Sequence, residues 1–187
     1  QVLQEQFGPH IGASPVALLS VVGRNMVGRL QVAAHGADLS QPATPVDVAA
    51  LLKGDNSEAA FAALVRQHAT SGVSGVVPKF LDAQVDAASS LAPHRKGSLV
   101  TRRHIIKGSS AQLPFVALNE HLCMQVARRV VPTANTEVSD DGQALLVHRF
   151  DVDENGQAYW GMEDFCSLLG LRPAAKYDTT WERIAKA

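Results

Sequence analysis

Cysteine, aromatic residues, net charge and long apolar runs are all in short supply in this chain, and each shortage closes off a class of function. Only two cysteines occur, Cys123 and Cys166. They lie far apart, form no Cys-x-x-Cys and fall on the apolar faces of predicted helices, so both are expected as free buried thiols in a reducing cytoplasm. The net charge is −1, which leaves no basic footprint for direct binding of nucleic acid. No apolar run approaches the length that spans a bilayer, and no signal peptide is expected from the opening residues. Aromatics make up 5% of the residues, yet apolar residues reach 46%, ample for a core in the one domain, or two small ones, that 187 residues can build. The chain starts at Gln1 in what reads as mid-helix and ends as abruptly, as expected of a fragment or a processed product.

Glycine and proline punctuate the rest. Residues 1–7 read as the last turns of a helix stopped at Gly8-Pro9, and Ser14-Pro15 opens another whose Val16, Leu19 and Val22 share a face up to Gly23. A strand is expected at 29–33 and a loop at 34–45. Two short helices follow, at 45–53 and 57–68. In the second, Phe61, Leu64, Val65 and His68 keep the i, i+3, i+4, i+7 spacing of one face. His68 there reads as a packed or capping histidine rather than a ligand. Residues 79–81 are expected as a short strand, and 85–97 as an exposed excursion between two strands. Residues 98–107, rich in Val, Thr and Ile, read as one strand, with Arg102 and Arg103 solvated. Leu118, Leu122, Val126 and Val130 recur every four residues along a helix at 116–130. Residues 136–139 and 143–151 form a hairpin about Asp140-Asp141-Gly142, and Asn155-Gly156 suits a type I′ turn. A helix at 162–169 with Met162, Phe165, Cys166 and Leu169 on one face stops at Gly170, and Thr179-Thr180-Trp181-Glu182 reads as a capping box.

The candidate chemistry lies in two segments. Ser71-Gly72-Val73-Ser74-Gly75-Val76-Val77-Pro78-Lys79 is a small-residue turn running into a β-prone stretch. Its glycines would let successive backbone N–H groups approach phosphate oxygens. His104-Ile105-Ile106-Lys107 is β-branched and ends in a lysine that could add a point charge to the same phosphates. That is the arrangement of a kinase small lobe, in which a glycine-rich loop covers the nucleotide and a strand lysine holds it. Gly-x-x-Gly alone is a turn in most proteins. No Gly-Lys-Ser/Thr follows it, so it is no Walker A loop, and it is not Gly-x-Gly-x-x-Gly.

These two segments resemble the motif pair of the HipA-like serine/threonine kinases, the toxins of bacterial toxin–antitoxin operons. Further similarities follow in the family's order. Asn119-Glu120 resembles its Asn-Glu pair, and Leu145 to Asp151 is similar to its Val-Glu-Arg-Phe-Asp segment. Glu163-Asp164-x-Cys166, Gly170 and Lys176-Tyr177-Asp178 resemble its signature at the start of the large lobe. With Leu18-Leu19 and the glycines that follow, the resemblance runs from about Leu18 to Tyr177. It implies an α+β fold: a protein-kinase-like small lobe of antiparallel sheet with packed helices, then the start of a helical large lobe. Residues 1–45 would close an N-terminal subdomain, 46–152 form the ATP-binding small lobe and 153–187 begin the large lobe.

Carried over position by position, the resemblance implies that ATP contacts Ser74, Gly75, Val76, Val77 and Lys79 of the loop, and Ile105 and Lys107 of the strand. Backbone groups of His148 and Phe150 would hold the base. Phe150 would pack close to it or sit in the strand core, buried in either role. Glu120 would pair with the lysine, or else simply favour the positive end of its helix. Magnesium would accompany ATP, with its ligands outside this segment and no metal ligand within it. A protein substrate, in the family an aminoacyl-tRNA synthetase, and a DNA-binding antitoxin are the implied partners, in the cytoplasm, without membrane or direct nucleic-acid contact.

Departures from the family's pattern matter as well. Gly72 stands where many members carry a serine that is autophosphorylated; Ser74 matches a second such serine and is the regulatory candidate, with Ser71 a weaker one. A phosphate there would repel the nucleotide's own phosphates. Val77 replaces a common glutamine and His148 a common glutamate. No His-x-Asp-x-x-x-x-Asn or Asp-Phe-Gly occurs after Tyr177, so no catalytic residue is assigned and phosphoryl transfer is expected only with a large lobe. Two alternatives stay open: a non-catalytic module that binds an antitoxin or other protein, and an unrelated α+β domain.

Overall fold

A computed structural model describes residues 12, 14, 16–17, 19, 23, 27–37, 39, 46–71, 97–111, 113–172, 175 and 178–187. Among them the chain is α+β, with a four-stranded antiparallel sheet and five helices. Helices α1 (Val48–Lys53) and α2 (Glu58–Ser71) come first, then strands β1 (Gly97–Val100) and β2 (His104–Gly108). Helix α3 (Val116–Ala127), strands β3 (Thr136–Val138) and β4 (Ala144–His148), and the short helices α4 (Phe165–Leu168) and α5 (Trp181–Ala185) complete the order. The sheet runs β1-β2-β4-β3.

Because side chains alternate along a strand and directly opposed residues share a face, the register sorts the core into two. Leu99, Ile106 and Leu146 lie opposite one another across three strands and face Leu51 of α1 and Phe61 of α2. Ile105 with Val147, and Lys107 with Leu145, fall on the other face, where Leu145 and Val147 pack with Ala117 of α3. β4 is thus covered on both sides, which is why Ala144, Leu145 and Leu146 form an unbroken apolar run rather than an alternating one. Phe61 lies flat on the end of β2: a Cβ on Gly108 would meet its ring carbons at 2.6–2.9 Å.

Several sequence expectations are corrected. Residues 98–107 are two strands, because Thr101 turns the chain: its Oγ1 accepts from the N–H groups of Arg103 and His104, at 3.3 and 3.0 Å. Such a side-chain turn competes with extension and leaves no gap in β-propensity. Residues 29–33 form no strand; Val32 makes a single backbone bond to Gly23 O, at 2.8 Å, and has no ladder. The second helix runs on through Ser71, into the expected loop. α3 ends at Ala127, and Leu122, Val126 and Val130 are exposed, because the face turned to the sheet is the one carrying Ala117, Glu120 and His121. Cys123 is exposed there too, and Cys166 half-buried, both free.

Near the C-terminal end, only Phe165–Leu168 of the expected 162–169 helix is helical. Asp164 caps it and Gly170, at φ 63°, follows it. The last helix is capped by Thr180, one residue later than the capping box requires. At 153–156 only Gly156 has positive φ, at 74°, so the turn is not type I′. No described helix is long and apolar enough to cross a membrane.

Candidate functional site

The α3 face of the sheet carries the charge. Lys107 sits one position from the end of β2, on the same face as Ile105, with its side chain half-buried. What brings a carboxylate to it is the start of α3. That helix opens without a side-chain cap of its own: its N-cap residue is Phe115, in the left-handed region at φ 55°. Ser109, just past β2, substitutes, with its Oγ accepting from Ala117 N–H at 3.2 Å. His121 Nδ1 and Gln125 Nε2 then meet Thr136 Oγ1 on β3, at 2.9 and 3.4 Å. With the helix pinned at β2 and at β3, Glu120 reaches the strand, and its Oε1 accepts a hydrogen bond from Lys107 Nζ. Glu120 lies past the first helical turn, beyond the reach of the helix dipole, so its contact with Lys107 and not the dipole accounts for the carboxylate there.

The other sheet face ends in a pair of imidazoles. His104 and His148 are opposed across β2 and β4, their rings edge to face with centroids 4.9 Å apart. His148 Nε2 contacts Glu137 Oε1 at 2.7 Å. Burial lowers the His104 pKa, the charges of His148 and Arg103 lower it further, and Glu137 opposes them.

Beyond β4 the chain leaves the sheet through Arg149, Phe150 and Asp151. Phe150 is 64% exposed, which corrects the expectation that it is buried. The α1–α2 layer and α3 cover the middle of the sheet, and Phe150 lies past its last ladder pair. Its carbonyl accepts from the Tyr159 hydroxyl at 3.1 Å, and its N–H has no hydrogen-bond partner among the described residues. The His148 N–H, by contrast, is spent on Asn135 O at 2.8 Å.

The residues on either side of Phe150 have no role that their types alone announce. Their side chains are 5% and 2% exposed and paired through both carboxylate oxygens: Arg149 Nε to Asp151 Oδ1 at 3.0 Å, Nη2 to Oδ2 at 2.6 Å. The Arg149 guanidinium, with help from the Gly28 amide, holds the Asp151 carboxyl below the usual carboxylate range against the opposing effect of burial. Opposite charges two apart at a strand end share a side of the chain, and that spacing is the signal by which sequence could have found them.

The structure therefore brings Lys107, Glu120 and Ile105 to one face of the sheet, and puts His148 and Phe150 at the exit of β4. Ser74, Gly75, Val76, Val77 and Lys79 lie outside the described residues, and with them any approach of the loop amides to Lys107. Ser71 is the last residue of α2. Among the described residues no group of three or more His, Cys, Asp or Glu could hold a metal ion.

Fold and site together define an α+β domain in which a strand lysine is held by a carboxylate from the helix behind it. The family profile of the HipA-like C-terminal domain matches residues 71–187, and the chain belongs to that family. No curated protein and no solved structure matches it.

Proposed function

We propose that this chain is the ATP-binding part of a HipA-like serine/threonine protein kinase toxin, built as a kinase-like small lobe and acting on a protein substrate in the cytoplasm. The observation that carries the reading is the hydrogen-bonded pair of Lys107 and Glu120. A lysine on a strand, steadied by a helix carboxylate, is the group that kinases use to hold nucleotide phosphates. The Lys107 side chain is only half-buried, which leaves room for its ammonium to meet an anion without leaving its partner. The open N–H of Phe150 adds a donor suited to a purine edge. These residues fit ATP: Lys107 would neutralise phosphate charge, Glu120 would orient Lys107, and backbone at the β4 exit would hold the base.

Magnesium is a different matter. No acidic cluster among the described residues fits it; its ligands are proposed to belong to a large lobe. The loop residues from Ser74 to Lys79 are proposed to cover the phosphates, with Ser74 as the site of a silencing phosphate and Ser71 second to it. A DNA-binding antitoxin is the proposed partner.

The test is Lys107→Ala. Titration with Mg-ATP should lose binding by about tenfold or more, the worth of one charge-assisted contact of roughly 1.5–3 kcal/mol, and growth arrest by the full-length toxin should be abolished. The second reading is a non-catalytic module that binds an antitoxin or another protein. The exposed Leu122 and Val126 on α3, with exposed Val130 just beyond it, favour that reading. Under that reading Lys107→Ala changes neither partner binding nor phenotype.

A further inference from the structure

We infer that the buried Arg149–Asp151 pair is a positioning device for the base-binding backbone around Phe150, an inference that rests on the nucleotide reading above. The pair gathers separate parts of the chain onto one tripeptide. Asp151 Oδ2 accepts from the Gly28 amide at 2.9 Å, and the Asp151 carbonyl accepts from the amides of Tyr159 and Trp160, at 3.0 and 3.3 Å. Arg149 Nη1 donates to Thr101 O at 2.9 Å, and the Arg149 amide donates to Arg103 O at 2.9 Å. The Gly28 turn, the β1–β2 turn and the 159–160 segment thus all converge on the two residues that flank Phe150.

Stability alone is a poor account of this arrangement. A buried ion pair replaced by packed apolar residues is often neutral or better, and its best-attested use is to fix one geometry against alternatives. Here the geometry fixed is that of an open residue. Phe150 lies between two clamped neighbours, its ring exposed and its N–H unpartnered among the described residues. The bidentate fork sets the turn at Arg149 and Asp151, and hence where the Phe150 amide is presented. Arg149 and Asp151 need not touch the nucleotide; they act through the backbone between them.

The experiment compares two ligands on the 187-residue chain by calorimetric titration: ATP, which has a base, and inorganic tripolyphosphate, which has none. Arg149→Lys keeps the charge and loses the fork; Asp151→Asn keeps the shape and loses the charge. Each variant should weaken ATP about tenfold, the worth of one well-placed hydrogen bond, and leave tripolyphosphate within about twofold. Lys107→Ala, by contrast, should weaken both ligands. Unchanged ATP affinity in both variants overturns the inference. So does a parallel loss of both ligands that tracks a loss of circular-dichroism signal, since that is the mark of a purely structural pair. If the unaltered chain binds tripolyphosphate but not ATP, the base site is absent and this inference alone falls. If it binds neither, the nucleotide reading falls and takes the inference with it.

Discussion

Two single residues show how narrowly the sheet is built. Gly108 has ordinary strand backbone, so its value lies in what it lacks: the Phe61 ring occupies the space a side chain would need. Phe61 is 3% exposed and anchors the core on that face, so it has little room to retreat. Gly108→Ala should therefore cost about 1–3 kcal/mol through overpacking, read as a lower urea midpoint with an unchanged slope. Lys107 is the opposite case. Its place on the α3 face follows from period-two alternation with Ile105, which His104-Ile105-Ile106-Lys107 shows as a bare string of residues. Its partner was legible only as one of two alternatives. An acidic residue near a helix start is ordinary, and the packing of α3 against β2 decides that Glu120 meets the lysine.

At the scale of elements, side-chain hydrogen bonds to backbone decide where strands end. Thr101 Oγ1 accepts two amides, and the Thr101 N–H donates to His104 O at 2.8 Å, closing the turn between β1 and β2. Thr101→Val keeps the β-branch and removes the acceptor. The two amides then lose their bonds in a part-buried setting, and the expected cost is about 1 kcal/mol by chemical denaturation. A silent substitution would mean that the hairpin is held by its ladder alone. α3 teaches the reverse lesson. Its four-residue recurrence of Leu and Val is genuine helical periodicity, yet Leu122 and Val126 lie on the outward face. The inward face is made of Ala117, Glu120, His121 and Gln125, small or polar residues that pack close or bond to the sheet. Hydrophobicity alone points the wrong way where a helix docks through polar contacts.

Across the whole molecule, two carboxylates join parts distant in sequence. Asp151 ties the Gly28 turn to the β4 exit. Asp141 ties the β3–β4 turn to the α1–α2 connection: its Oδ2 accepts from Asn56 N–H at 2.8 Å, and its Oδ1 from Ser139 Oγ at 2.6 Å and Gln143 N–H at 3.0 Å. Burial acts to raise the Asp141 pKa, but the hydrogen bonds from Ser139, Gln143 and Asn56 outweigh it and leave it below the ordinary value. Both groups have lowered pKa values in the fold, so each contributes stability that is complete above the unfolded carboxyl pKa of about 4 and is lost as pH falls through the folded value. The lowered His104 pKa should make stability, measured by urea titration, fall first as pH drops through about 6.5. The two carboxylates should then add a further decline below about 4. Asp141→Asn should lower the neutral plateau and flatten that decline, and an unchanged acid slope in the variant would remove Asp141 from the account.

The helices α1 and α2, the β3–β4 hairpin, the helical face carrying Phe61 and the membership in the HipA-like family follow from periodicity, turn residues and motif order, because each is a local property of the chain. The contact of Lys107 with Glu120, the break at Thr101, the exposure of Phe150 and the clamp of Arg149 on Asp151 do not. They depend on which faces meet and on which buried polar groups find partners, and those are settled only when segments as far apart as Gly28 and Asp151 are brought together.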